Sequence, residues 1–362
     1  MISSDLRRTV QANCDLSDSL HSGIYTICTL VLRLRNLFKW EHGIEPWDEP
    51  ESAQVLDWIA AKEDYWKTIR DQAYAPLPIG RRLFDPYEVP AINEALLPRG
   101  LFYGAGLGQF MKPIFFLAEQ QEEKTVEGAP TVILDKETAR ELAWPFAMLQ
   151  EGIIYIRRQP LRFYLWDQIQ EVRSSGKLGL RRALSPYDLY TPEGRIDCSR
   201  LKNKLDLIVN EEIPFFIHHE VGELKDNTLG RELFQTLVSS FPHSAVEYVA
   251  RALKDVLADT HPHGLLGYVV TQKKESSLGF YTAFLDGLRK VLFPEIELAA
   301  QQFWIDGDWQ GIEKARRIGR ERNQRRAETL QTICQRLGEE PVSFLQERIE
   351  AEILVPLGLG KR

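Results

Sequence analysis

Apolar residues recur every three or four positions over much of the chain, and this spacing predicts helices wherever it persists. In the first half it predicts helices over 16–42, 51–71, 137–150 and 161–174. The second half shows little else. Its predicted helices cover 199–210, 215–225, 229–240, 243–259, 264–274, 278–292, 295–304, 308–337 and 341–353. The short loops between them favour antiparallel helical neighbours.

Short runs of another kind interrupt the first half. The apolar runs 131–134 and 152–158 predict two strands that could pair with each other. Five prolines between residues 74 and 100 predict a folded but irregular segment. The predicted fold class is therefore mainly α, with a helical second half and a proline-punctuated, mixed first half that holds a small β element.

The 362 residues suffice for about two domains. Glycine, serine and proline cluster between residues 174 and 194, which makes this stretch the best candidate for a boundary. We expect a mixed α domain with a small β element over 1–195. An all-helical domain over 196–362 is expected to carry the candidate site described below.

The net charge of −7 is unevenly distributed. Seven basic and two acidic side chains give the run 313–326 a local charge of +5, which leaves −12 for the rest of the chain. An acidic body disfavours nucleic-acid binding, because phosphate contact needs broad positive potential. The basic run falls on a predicted helix, where it is either a solvated face or a docking surface for an acidic protein partner or a second copy of the chain.

The cysteines and the apolar runs exclude several other classes. The four cysteines, at 14, 28, 198 and 334, form no C-x-x-C pair and no dense disulfide framework. The first residues lack the pattern of a signal peptide, and no apolar run approaches the roughly 20 residues of a membrane span. These features predict a cytoplasmic protein that does not enter membranes.

The candidate chemistry lies in the second half, where four of the seven histidines form two pairs. On a helical wheel His219, Glu223 and Glu220 fall at about 0°, 40° and 100°, whereas His218 points about 100° the other way. Phe215 and Phe216 bracket this face. Carboxylates on a half-buried aromatic face must be paired, protonated or bound to a cation.

The second histidine pair, His261 and His263, follows Asp259 in a predicted loop, because Pro262 stops the helix and Gly264 permits a turn. A metal site would combine His219, Glu220 and Glu223 with Asp259, His261 and His263, as ligands or as supporting partners. Imidazole and carboxylate ligands suit Zn²⁺, Mn²⁺ or Fe²⁺. In an extended loop, alternate residues point to opposite sides, so one of the two loop imidazoles could face away.

The same residues also fit hypotheses that need no metal. Chance alone supplies about one H-x-x-x-E pair in a chain with seven histidines and 52 carboxylates, and the chain has two, at 219/223 and 243/247. A buried hydrogen-bond network would use these side chains, as would a metal-free acid/base site with His219 or His263 as the base. A non-catalytic helical scaffold that binds protein partners is a further alternative.

A glycine-rich stretch lies in the first half, at 103–112. Its spacing matches neither the dinucleotide motif, which fails at Gln109, nor the phosphate-binding P-loop. The stretch therefore predicts a backbone turn between packed segments.

Overall fold

The computed structural model describes residues 4–108, 111–285 and 287–359. The protein is mainly α, at 63% helix, with a curled five-stranded sheet in its first half. The α-helices are α1 (Ser4–His21), α2 (Ile27–Glu41), α3 (Ser52–Ile69), α4 (Val89–Leu96), α5 (Arg158–Glu171), α6 (Lys177–Leu184), α7 (Cys198–Lys225), α8 (Arg231–Ser240), α9 (Ala245–Thr260), α10 (Leu265–Gln272), α11 (Glu275–Phe284), α12 (Gly287–Leu292), α13 (Glu295–Asp306), α14 (Trp309–Cys334) and α15 (Val342–Ile349). The strands are β1 (Leu77–Ile79), β2 (Arg82–Phe84), β3 (Leu101–Leu107), β4 (Pro113–Val126), β5 (Ala129–Arg140), β6 (Ala147–Gln150) and β7 (Ile153–Arg157).

The chain forms two compact units. The first, here called the sheet unit, contains the described residues up to Thr125 together with Pro130–Gln170. The second, the helical unit, contains Val126–Ala129 and the described residues from Glu171 onward. The boundary expected from the sequence, after residue 195, falls inside the helical unit. There α6 packs closely on α11, because Gly179 and Gly279 leave no side chain between the two backbones.

The sheet unit is built on strands in the order β3-β4-β5-β7-β6. The two strands predicted from the sequence do pair: β5 and β7 run parallel, with Thr131 opposite Ile154. One face of the sheet packs against α1 and α4 through Leu6, Val10 and Phe115, and the other face holds a second apolar cluster. The β structure is therefore much larger than the small element expected from the sequence.

The helix predicted over 137–150 is wrong. β5 continues to Arg140, a loop follows, and β6 occupies Ala147–Gln150. Local and tertiary contacts hold this segment in a loop: the Glu141 carboxylate accepts hydrogen bonds from the backbone N–H groups of Ala143 and Trp144, and Asp18 accepts one from the Leu142 N–H at 2.9 Å.

The turn predicted for the glycine-rich stretch is wrong for 103–107, which belong to strand β3. Gly108 and Lys112, in contrast, lie in the connection to the antiparallel strand β4, where the Gly108 N–H donates a hydrogen bond to the Lys112 carbonyl at 2.8 Å. Gly104 lies so close to the Phe116 ring that an added Cβ would stand 2.1 Å from it. The glycine is thus required by the packing of an aromatic ring against the strand. Gln109 lies outside the described residues.

A network of buried charges holds the middle of the sheet unit together. Lys112 lies 2.8 Å from Asp18 and 3.4 Å from Glu141, and all three side chains are at most 1% exposed. Arg157 in turn contacts Glu141 and lies 2.5 Å from Glu137. With Arg140, which lies 3.7 Å from Glu137, the network has three cations and three carboxylates. Such a balanced set can be buried because each charge has partners of opposite sign.

The helical unit matches the predicted pattern of short helices, with local differences. The predicted helices 199–210 and 215–225 are one continuous helix, α7, which contains Pro214. The helix predicted over 278–292 is two, α11 and α12. In the described residues, no helix has the length and apolarity that crossing a bilayer requires.

Candidate functional site

Helix α7 carries three of the candidate residues and begins at a side-chain cap. The Asp197 carboxylate accepts hydrogen bonds from the N–H groups of Ser199 and Arg200, which satisfies donors that a helix start leaves free. Pro214 removes one N–H from the middle of the helix. Glu211 lies in the adjoining turn of α7, and its carbonyl accepts a hydrogen bond from the side chain of Lys274. The helix continues past Pro214 to Lys225.

A glycine allows α7 to approach α9 closely. An added Cβ at Gly222 would stand 2.1 Å from the carbonyl oxygen of Ala258. The two helices therefore touch backbone to backbone at the end of α9. This approach brings His219, one turn before Gly222, to Asp259, whose carboxylate lies 2.7 Å from the His219 Nδ1.

His219, Glu220 and Glu223 come together on one face of α7. One potential ligand atom from each residue lies within 4.8 Å of the other two. Because Nδ1 of His219 faces Asp259, its Nε2 is the nitrogen left for a ligand. A carboxylate that holds a histidine in this way fixes the ring orientation in many metal centres. Burial alone would lower the pKa of His219, but the Asp259 carboxylate raises it to about 9.

The carboxylates of this site, here called the α7–α9 cluster, outnumber their cations. The cluster consists of His219, Glu220, Glu223, Lys254, Asp255 and Asp259. Glu220 is 6% exposed, and no hydrogen bond or salt bridge to it forms within the described part of the chain. Burial raises the pKa of both Glu220 and Asp255, and the positive charges of His219 and Lys254 offset this effect only in part. Four carboxylates thus face His219 and Lys254 within the cluster, and Arg289 acts on Asp255 from α12.

Asp259 has two neighbours at the site. Its Oδ1 faces His219, and its side chain also interacts with the phenol of Tyr281 through a hydrogen bond. The phenol of Tyr281 is also buried, and burial together with the charge of Asp259 raises its pKa well above the usual range.

The two loop histidines make contacts of their own. His263 Nδ1 lies 2.8 Å from the Glu127 carboxylate, and its backbone N–H donates to His261 Nδ1 at 3.1 Å. Neither residue belongs to the three-residue ligand group in the described structure. Burial and the nearby Arg320 lower the pKa of His261 to about 4, so its ring is neutral. His218 stacks on Tyr268, with 4.3 Å between the ring centroids. It points away from His219, as the helical wheel predicts.

The basic run 313–326 packs partly against its own unit. Arg316 is 7% exposed and donates to the Thr260 carbonyl. Arg320 donates to the Leu257 carbonyl at 2.9 Å and pairs with Asp226 at 2.7 Å. Both arginines therefore stabilise the carbonyl end of α9, where the helix dipole is negative. Lys314, Arg317, Arg322 and Arg325 are exposed, so the partner hypothesis for this helix rests on them.

The second H-x-x-x-E pair has a local role. Ser244 begins α9 and accepts a hydrogen bond from the N–H of Glu247, while the Glu247 carboxylate accepts one from the N–H of His243 at 2.7 Å. This arrangement is a variant of the capping box, in which the glutamate accepts from the N–H of the residue before the N-cap Ser244. The S-x-x-E signature at 244–247 identifies Glu247 as a capping residue. His219 and Glu223 are then the H-x-x-x-E pair that capping does not explain.

Sequence reasoning missed Lys254, Asp255 and Gly222. Asp255 lies one helical turn before Asp259 on α9, and this spacing, which places both on one face, is a usable signal. Lys254 and Gly222 carry no such signal, because a lysine and a glycine in a helix become informative only when the facing helix is known.

Comparisons with known proteins give a family and no activity. Residues 5–157 match the N-terminal domain of a family of unknown function, DUF6866, and residues 162–352 match its C-terminal domain. No curated protein and no solved structure matches the chain. The matched C-terminal domain covers the whole α7–α9 cluster. The chain belongs to the DUF6866 family.

Proposed function

We propose that the helical unit binds a divalent metal ion through His219, Glu220 and Glu223, with Asp259 orienting the His219 ring. The observation that carries the proposal is Glu220, a buried carboxylate that has no partner among the described residues and lies within 4.8 Å of two other potential ligands. A divalent cation would balance the excess negative charge. One imidazole and two carboxylates suit Zn²⁺, Mn²⁺ or Fe²⁺.

Three protein ligands leave coordination positions for water or substrate, as catalytic sites do. A bound metal would supply Lewis acidity and lower the pKa of bound water. His219 is 23% exposed at its side chain, so the site is reachable from solvent. These features favour a metal-dependent enzyme over a closed structural site.

The experiment is metal titration of the chelator-treated protein with Mn²⁺ and Zn²⁺ by calorimetry, after elemental analysis of the protein as purified. We expect one site per chain, and its loss in His219→Ala. The matched control is His243→Asn, which alters the other H-x-x-x-E pair and suits the left-handed backbone of that residue. Equal titration curves for both variants, or no saturable binding by the unaltered protein, would contradict the proposal.

Glu220→Gln separates a metal site from a buried structural network. If the site awaits a cation, the variant loses metal binding while the free energy of unfolding of the metal-free protein rises by about 1 kcal/mol, because an uncompensated buried charge is removed. If the carboxylate holds a structural network, the same change lowers that free energy. Urea unfolding in the presence of EDTA, followed by far-UV circular dichroism, measures the sign.

A further inference from the structure

Lys254 lies beside Glu223, one of the proposed metal ligands. Its ammonium group contacts the Glu223 carboxylate, and the two side chains are 31% and 22% exposed. The same ammonium lies 4.8 Å from the centroid of the Phe234 ring. Lys254 therefore lies between a carboxylate of α7 and an aromatic face of α8, two groups that both attract a cation.

Lys254 supplies positive charge to the carboxylates of the α7–α9 cluster. The negative charges of Asp255 and Glu220 act on Lys254, and its positive charge lowers the pKa of Glu220. His219 faces Asp259, and Arg289 acts on Asp255 from α12. Lys254 is thus the cation that reaches Glu223, one of the three proposed ligands.

We propose that Lys254 is the resident counter-ion of the metal position, so that the Lys254–Glu223 ion pair and a metal–Glu223 bond exclude each other. This inference rests on the proposed function. A divalent ion at Glu223 would repel the ammonium across a few ångströms, and both would need the same carboxylate oxygens. The Phe234 face and the adjoining solvent offer the displaced ammonium a second favourable position. Metal uptake then requires a side-chain exchange, and the lysine holds the site together when no metal is present.

The test is the Mn²⁺ affinity of the full chain, measured by calorimetry after chelator treatment. Lys254→Met keeps the length of the side chain and removes its charge, and we expect it to tighten Mn²⁺ binding by roughly tenfold. Lys254→Arg keeps the charge and should bind like the unaltered protein. The matched control Lys314→Met removes a lysine from an exposed position of α14 and should change the affinity less than about twofold.

The outcomes separate the two proposals. Equal or weaker Mn²⁺ binding by Lys254→Met than by the unaltered protein contradicts the ion exchange and leaves the metal site standing. Absence of saturable binding in both proteins contradicts the metal site and the exchange with it. If Lys254→Met is not folded by circular dichroism, Lys254→Gln replaces it, since a polar side chain suits this partly exposed position. Tighter binding by either variant supports the exchange.

Discussion

The two units bury charges in opposite ways. In the sheet unit, Lys112, Asp18 and Glu141 meet in a core where each is at most 1% exposed, and every charge has an opposite neighbour. In the helical unit, Glu220 is nearly as buried but has no ion pair or hydrogen bond within the described residues. The sheet-unit network is balanced in charge, although Glu137, Arg140 and Arg157 each keep buried polar atoms without a hydrogen-bond partner in the described structure. The helical cluster instead keeps an excess of carboxylates. This excess of carboxylates in the helical unit is the basis on which we propose a metal ion there.

The difference also appears in the pKa values. Burial raises the pKa of Asp18 to about 6 even though Lys112 opposes the shift. In the same network Glu141 has its pKa lowered, because Lys112 and Arg157 outweigh its burial. In the helical unit the charges of His219 and Lys254 do not outweigh the burial of Glu220, so its pKa stays raised. The charge neighbours, rather than the depth of burial, distinguish the two regions.

The largest expected effect breaks the balanced network. Lys112→Met leaves Asp18 and Glu141 without their shared cation, and we expect the free energy of unfolding to fall by about 3–5 kcal/mol. Tryptophan fluorescence during urea unfolding measures this loss, since six of the eight tryptophans lie in the sheet unit.

The control for this change is Lys67→Met, which breaks an exposed ion pair with Asp64 and should alter the free energy by less than about 0.5 kcal/mol. A cost for Lys112→Met as small as that of the control would show that the sheet unit does not depend on its buried charges.

A smaller effect concerns pH in the helical unit. The pKa of His219 is about 9 in the folded protein against 6.5 for an ordinary histidine. The folded state therefore binds the proton more tightly, and this stabilisation is complete below pH 6.5 and lost as the pH rises through 9. Asp259→Asn removes the negative charge that raises the pKa of His219. We expect the variant to be less stable by roughly 2–3 kcal/mol near pH 6 and by almost nothing above pH 9.

Thermal unfolding of both proteins between pH 6 and 10, with EDTA present, measures this difference. A gap in stability that stays constant over the whole range would mean that Asp259 acts through packing rather than through the charge of His219.

The smallest of the three effects tests how the helical unit assembles its cluster. Gly222→Ala places a methyl group against the Ala258 carbonyl and must push α7 away from α9. We expect a loss of about 1–2 kcal/mol in the free energy of unfolding and weaker Mn²⁺ binding, because His219 and Asp259 move apart.

Gly311→Ala is the matched control, since an added Cβ at this helical glycine of α14 meets nothing within 4 Å. It should leave Mn²⁺ binding unchanged and be neutral or stabilising by up to about 1 kcal/mol. Equal Mn²⁺ affinity in Gly222→Ala and Gly311→Ala would show that the close approach of the helices does not position the cluster.

Some features could be predicted because they depend on local order along the chain. Apolar spacing predicts the helices of the second half and the strands within β5 and β7. The placement of His219, Glu220 and Glu223 on one helical face follows from 3.6 residues per turn alone. The segment 137–150 could not be assigned in this way, because its polar residues at 137, 140 and 141 look like an exposed helical face until their partners are known.

The sequence by itself determined the class of the protein, mainly α, and the helix face that carries the candidate ligands. Only the tertiary structure decided which charges are balanced. Lys112 meets Asp18 and Glu141 across long stretches of chain, and Asp259 meets His219 across the contact between two helices. Local periodicity reports which way a side chain points, but the energy of a buried charge depends on the charges that other segments bring to it.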